Sequence, residues 1–327
     1  MSGHAWQPVS PCGAGCLPRR PERVPTVVAA ARWCALVLVA SSTLLLPLVR
    51  LLPAGLRTAV HRSLARVALH SIGIRLDRGR RVDVGEMGGG AFVVAGHTSW
   101  LDVLVLAAVT PGRFVARADL VSWPLLGVVA RWAGVVPIER DRLRRLPATV
   151  AVVRDRLAAG ETVIAFPEGT TWCGRVYGRF RPALFQAAID SGRPVVPVSI
   201  GYVDASGERT TGPSFVGDEE IGASMRRILR SRGVRAEVVV GPVQRPGGDR
   251  RELAARCERY VRRVAGASAD VTAAADGLSL TGHDLACAQS RGLPRPRRDH
   301  PDVSGHDRGD DRDLRDRGQR VVVARVG

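Results

Sequence analysis

The residues of this 327-residue chain that most directly suggest chemistry are His97 and Asp102, in Ala95-Gly96-His97-Thr98-Ser99-Trp100-Leu101-Asp102. The segment leaves an apolar strand pattern and opens a helical one. Imidazole exchanges a proton near neutral pH and is the usual general base. A carboxylate five residues on, in the first helical turn, can accept a hydrogen bond from the ring. That bond would set the tautomer and stabilise imidazolium once it forms. The sequence holds no Gly-x-Ser-x-Gly nucleophile elbow, so the hydroxyl to be activated would come from a substrate. A second reading uses the same residues: Thr98 or Ser99 caps the helix and Asp102 complements its dipole. Spacing alone favours that second reading, because short motifs recur by chance.

A second segment carries related possibilities. Thr162–Phe166 has the pattern of a buried strand, and Pro167-Glu168-Gly169-Thr170-Thr171 follows it. At the carboxyl edge of an open α/β sheet such a turn can meet a ligand. Glycine lets the backbone approach closely, and Thr170 offers a hydroxyl and an amide to a phosphate. A plain tight turn fits the same residues. Cys173 is a possible nucleophile, but no histidine is near it in sequence, and a structural thiol fits better. The six cysteines (Cys12, Cys16, Cys34, Cys173, Cys257, Cys287) are scattered. Cys12 and Cys16, with His4 nearby, form half a metal site whose other half is missing, so free thiols are expected.

The surrounding pattern supplies elements that could hold these residues. Strands are expected over Ala91–Ala95, Arg113–Ala116, Val135–Ile138, Thr162–Phe166, Val195–Ile200 and Ala236–Val240. Helices are expected over Leu101–Ala108, Pro124–Trp132, Leu146–Ala159, Ala183–Ser191 and Arg250–Val264. This alternation predicts an α/β domain with a largely parallel sheet, about residues 76–266. Residues 1–30, rich in Pro, Gly and Arg, read as a flexible basic arm. Trp33 to Val49 carries no charge and sits at the lower length limit for crossing a bilayer. Arg57 to Arg75 has amphipathic spacing. Together, residues 31–75 predict a helical membrane anchor lying in one leaflet, with a single transmembrane pass as the alternative. Residues 267–327 read as a disordered charged tail.

Composition narrows the partners. All 48 basic residues are arginine and the formal net charge is +17, so anionic lipid, nucleic acid or phosphorylated substrates are all attracted. Aromatic residues are only 5% of the chain and do not alternate with arginine as a base-stacking platform would. No zinc-finger or RNA-binding signature is present, which sets nucleic acid aside.

Taken together, four blocks resemble the glycerolipid acyltransferase family typified by 1-acylglycerol-3-phosphate O-acyltransferase. The resemblance runs from about Ala91 to Tyr202. Gly96 to Asp102 is similar to the family's His-x4-Asp block, Gly134 to Arg140 to its second, Phe166 to Thr170 to its third, and Val195 to Ile200, with Pro197, to its fourth. The resemblance implies that His97 deprotonates an acceptor hydroxyl, which attacks the thioester of acyl-CoA or acyl-carrier protein, with Asp102 orienting His97. It further implies that Arg140, Glu168, Gly169 and Thr170 hold the acceptor phosphate or shape its pocket. No cofactor or metal is implied, since a thioester is already activated. Arg117 stands where relatives often place lysine. Thr171 departs from the arginine that often follows Glu-Gly-Thr, and Arg175, Arg179 or Arg181 could replace its charge.

The fold implied is a glycerolipid acyltransferase-like sandwich, with a largely parallel sheet flanked by helices. The function implied is acylation of a lysophospholipid, 1-acylglycerol-3-phosphate giving phosphatidic acid. Alternatives are another lyso-lipid acceptor, such as a lyso-ornithine lipid, or a catalytically idle membrane-binding protein. The expected place is the cell membrane, with the site on the cytoplasmic face, where thioester donors are found.

Overall fold

The computed structural model describes residues 9–19, 21–43, 46–49, 51–77, 90–119, 127, 130, 133–139 and 142–266. The described residues fall within one unit, Met1–Leu293. The tail expected at 267–327 and most of the helix expected over Pro124–Trp132 lie outside the described residues.

Short β-branched runs form seven strands: β1 (Arg75–Asp77), β2 (Phe92–Ala95), β3 (Arg113–Arg117), β4 (Val136–Ile138), β5 (Val163–Ala165), β6 (Val195–Val203) and β7 (Arg235–Val240). They form one sheet in the order β1-β7-β6-β2-β5-β3-β4. Strands β6, β2, β5, β3 and β4 run parallel, while β7 pairs antiparallel with β6 and parallel with β1. Parallel strands covered on both faces need apolar residues at consecutive positions rather than alternate ones. Strand β2 is such a strand, buried at all four positions.

Eight α-helices are described: α1 (Thr26–Ser42), α2 (Leu46–Val49), α3 (Ala54–Ser71), α4 (Leu101–Val109), α5 (Leu146–Ala158), α6 (Phe185–Ser191), α7 (Ile221–Arg230) and α8 (Arg250–Ala265), with single 3-10 turns at Ala14–Cys16 and Leu143–Arg145. Successive strand residues point to opposite faces, so the core has two layers. On one face Leu69 of α3, Leu101 and Leu106 of α4 and Ile228 of α7 pack on Val93, Ala95, Val196 and Val198. On the other, Val153 and Leu157 of α5, Phe185 of α6 and Leu253 and Val261 of α8 pack on Phe92, Val94 and Val163. Phe92 and Phe185 meet edge to face, with ring centroids 5.5 Å apart. Helix α8 starts on Asp249, whose side chain accepts from Arg251 N–H, and stops at Gly266 in the left-handed region.

Two elements were not foreseen. Strand β1 has only three residues and holds an edge, and α7 interleaves its apolar residues with Arg226, Arg227 and Arg230. The amphipathic helix expected over Arg57 to Arg75 ends at Ser71 instead. Gly73 turns the chain at φ 81°, and the Arg32 guanidinium lies so close that a Cβ there would stand 2.1 Å from its Cζ. Only glycine fits, and Arg75 then enters β1.

Helix α1 packs beside α3 and α7. Arg32 ties it down by donating from one nitrogen to the carbonyls of Leu229 (2.9 Å) and Ser231 (2.7 Å). Its other side is apolar and open: Val27 is 74% exposed and Leu38 71%. Leu48, Leu51, Leu56 and Val67 extend that exposed apolar set. No described helix is long and apolar enough to cross a membrane.

Residues 9–19, expected to lie in a flexible arm, are packed. Cys12 and Cys16 are buried against Trp172, Cys173, Val176 and Val216. A Pro/Gly-rich composition supplies no periodic face, and these few apolar and sulfur-bearing side chains find their partners in segments far along the chain. The expectation of scattered free thiols is likewise corrected, because the sulfurs of Cys12, Cys16 and Cys173 come within 4.8 Å of one another and Cys16 stands in a disulfide.

Candidate active site

Because β2 and β5 are adjacent and parallel, the loops leaving their carboxyl ends lie side by side. One carries His97 and the other Glu168. Strand β6 lies along the opposite side of β2 in the same direction and extends far enough to bring Tyr202 to the same edge.

The His97 ring bonds through Nδ1 to Asp102 Oδ2 at 3.0 Å. That oxygen also accepts the N–H groups of Thr98 (2.7 Å) and Ser99 (2.9 Å). Asp102 Oδ1 accepts the Tyr202 hydroxyl at 2.6 Å. The carboxylate is fully buried and has four donors, which is what a buried carboxylate requires. The two readings of Asp102 are therefore not exclusive. It binds the two amides just ahead of α4 and it holds the imidazole, both through one carboxylate.

The ring stacks on Phe166, with centroids 4.0 Å apart and planes 15° apart. Its side chain is 17% exposed. With Nδ1 engaged by Asp102, Nε2 is the nitrogen left to exchange a proton with a bound molecule. The main chain of His97 is fixed as well. Its carbonyl accepts Trp172 N–H at 2.8 Å, and the next carbonyl, of Thr98, accepts Phe215 N–H at 2.8 Å.

Glu168 lies behind the histidine rather than at an open surface. It is buried, and its Oε2 accepts the His97 N–H at 2.8 Å. Burial pushes its carboxyl well above the usual carboxylate range, against the His97 N–H and the Arg262 charge. The turn closes when Gly169 N–H donates to the Phe166 carbonyl at 3.1 Å, with Gly169 at φ 76°. Gly169 and Thr170 are half-buried. Arg117 ends β3 exposed and paired with Asp119 (3.0 and 2.7 Å). Arg175 is exposed on the loop after Thr171. Arg140 lies outside the described residues.

Sequence reasoning did not single out Tyr202, the Phe166 stack or the Trp172 amide. Tyr202 left a signal. It is a polar-tipped aromatic in a strand of otherwise apolar character, and a buried tyrosine hydroxyl seeks a partner. Burial and the Asp102 charge hold its phenol well above the ordinary value. Cys173 is buried and donates its N–H to Cys12 Sγ at 3.3 Å. Its thiol is drawn down to about 6, chiefly by the side-chain hydrogen bond with Cys12.

Comparison with known proteins bears on the family and the fold. The acyltransferase family matches residues 60–201. A 1-acyl-sn-glycerol-3-phosphate acyltransferase of Neisseria meningitidis is 34% identical over 64% of this chain and 81% of its own length. A lyso-ornithine lipid O-acyltransferase of Rhodobacter capsulatus is 33% identical over 74% of this chain and 93% of its own. Among solved structures, the 1-acyl-sn-glycerophosphate acyltransferase of Thermotoga maritima aligns at TM-score 0.56 and 16% identity. That alignment covers 78% of this chain and 98% of that one, and it shows the shared fold.

Proposed function

Because the chain belongs to the glycerolipid acyltransferase family and is an O-acyltransferase, we propose that it acylates the free hydroxyl of 1-acylglycerol-3-phosphate, giving phosphatidic acid. The acyl group comes from acyl-CoA or acyl-carrier protein. The observation that carries this reading is the His97–Asp102 pair, with Nδ1 held at 3.0 Å by a buried carboxylate. His97 Nε2 takes the proton of the acceptor hydroxyl as the oxygen attacks the thioester carbonyl. The proton then goes to the departing thiolate. Asp102 stabilises the imidazolium between those steps. Tyr202, Trp172 and Glu168 position the pair and its main chain. Gly169, Thr170, Arg117, Arg140 and Arg175 shape or charge the acceptor pocket.

Lyso-ornithine lipid is the second acceptor to test, because relatives acting on it match over comparable lengths and Thr171 stands where an arginine often follows Glu-Gly-Thr. The exposed apolar residues of α1 and α3 support a place on the cytoplasmic face of the cell membrane, where both lipids and thioester donors meet. The test is acyl transfer by the purified chain to both lyso-lipids, with each donor. Wild type should acylate 1-acylglycerol-3-phosphate, and His97→Ala should reduce the rate about 10²–10⁴-fold with the fold intact. Undiminished transfer by that variant would overturn the mechanism, and preference for lyso-ornithine lipid would overturn the acceptor.

A further inference from the structure

Given His97 as the general base of the proposed acyl transfer, we propose that the Glu258–Arg262 pair of α8 positions it, by clamping residues 178–181 and through them both sides of the histidine main chain. The two side chains stand one helical turn apart and meet on one face of α8. Arg262 Nη2 lies 2.7 Å from Glu258 Oε1, and each side chain is only 15% exposed. Each also binds main chain across the gap. Glu258 Oε2 accepts the Phe180 N–H at 2.6 Å, and Arg262 Nη2 donates to the Gly178 carbonyl at 3.0 Å. One ion pair therefore holds a donor and an acceptor two residues apart.

From residues 178–181 two routes lead to His97, one to each side of its main chain. Arg181 donates its N–H to the Pro167 carbonyl at 3.0 Å, next to Glu168, whose Oε2 accepts the His97 N–H at 2.8 Å. Gly178 lies so close to the Trp172 indole that a Cβ there would collide with it. Trp172 in turn donates its main-chain N–H to the His97 carbonyl at 2.8 Å. The helix also reaches the turn directly, because Val261 Cγ1 lies 3.5 Å from where a Cβ on Gly96 would stand. The Gly178 N–H and the Arg262 charge both favour the ionised form of Glu168, and a carboxylate accepts more strongly from the His97 amide than a neutral acid does.

Stability alone gives this pair little reason to exist. An ion pair four residues apart adds little to a helix, and removing its charges from water can offset what the pairing gains. Leu253, Cys257 and Val261 already hold the buried side of α8 against the sheet. What the pair supplies is direction, through two main-chain bonds that leave residues 178–181 a single arrangement. A displacement of about 1 Å at a reacting group can cost about 10²-fold in rate, so a general base gains from a main chain held on both sides.

Amide hydrogen exchange and steady-state acyl transfer, both on the full chain in detergent, test the clamp through Arg262→Met. Cys257→Ala, which disturbs the buried side of the same helix, is the control. In Arg262→Met the His97 amide should exchange about tenfold faster than in wild type, while the amides of α7 keep their rates. With 1-acylglycerol-3-phosphate and lyso-ornithine lipid as acceptors, its kcat should fall about tenfold and KM for the acceptor should stay within about twofold. Cys257→Ala should lower the melting temperature and leave kcat unchanged. Should Arg262→Met fail to fold, Glu258→Gln, which keeps an oxygen for the Phe180 N–H and removes the charge, should show the same two changes in smaller measure. The clamp is overturned if the folded variant keeps wild-type exchange at His97, if it keeps wild-type kcat while His97→Ala is inactive, or if Cys257→Ala loses as much kcat. An active His97→Ala, or a wild type that acylates neither lipid, overturns the reading of His97 as the base, and exchange at the His97 amide then decides the clamp by itself.

Discussion

At the residue scale, the candidate site is organised around one carboxylate. Asp102 receives two amides, a phenol and an imidazole, so each donor restrains where the others sit. Removing the phenol leaves a buried acceptor short of a partner. Tyr202→Phe should therefore destabilise the fold by about 1.5–3 kcal/mol, the usual worth of a hydrogen bond to a charged group. It should also lower kcat with little change in KM, since Tyr202 is buried and reaches the histidine through Asp102. Chemical unfolding and steady-state assays together check both parts. Glu168 makes a pH-dependent contribution of opposite sense to that of a salt-bridged acid. Its folded-state pKa is raised by burial, so its contribution is complete below the ordinary value of 4.5 and is lost as pH rises through the folded value. Glu168→Gln keeps a carbonyl for the His97 N–H and removes the titration. The melting temperature of that variant relative to wild type should rise as pH climbs above 4.5; a constant difference would show that Glu168 does not titrate as described.

At the element scale, the strands deliver and the helices hold. Parallel pairing of β2 with both β5 and β6 gathers three carboxyl ends, and α4 begins at Leu101, just after Thr98 and Ser99, whose amides bind Asp102. Five of the six expected strands lie within about two residues of their observed bounds, because β-branched runs between Gly and Pro leave little else possible. Strand β6 runs three residues further than expected, to Val203, and that extension carries Tyr202. Residues 33–49 were legible as apolar but not as a shape. Helix α1 begins at Thr26, before the uncharged run, and α2 is a separate short piece. The exposed residues of α1 form a surface suited to one leaflet. Replacing Val37 and Leu38, 54% and 71% exposed, by glutamate should cost little stability and release the chain from lipid vesicles. Co-sedimentation with vesicles, beside the melting temperature, separates the two effects.

At the scale of the whole molecule, the charge of +17 acts over a distance that salt controls. Screening shortens from about 10 Å at 0.1 M to about 3 Å at 1 M, while apolar insertion survives it. Binding to phosphatidylglycerol vesicles should weaken about tenfold over that range, and binding to neutral vesicles should hardly change. If salt affects both equally, the charge plays no part in membrane association. The sequence by itself determined the reaction type and the α/β class. Motif blocks and strand patterns are local, and local order is written in consecutive residues. It did not determine that Asp102 serves both the helix and the histidine, that Tyr202 completes the carboxylate, or that Cys12 and Cys16 meet Cys173. The Asp102 contacts are local, three to five residues apart, and what spacing left open was that one carboxylate makes them all. Tyr202 and Cys173 lie 100 and 161 residues from their partners, a separation that carries no information about distance. The parallel pairing of β6 with β2 brings Tyr202 to Asp102, and burial of the small apolar cluster around Trp172 and Val216 brings the N-terminal segment to Cys173.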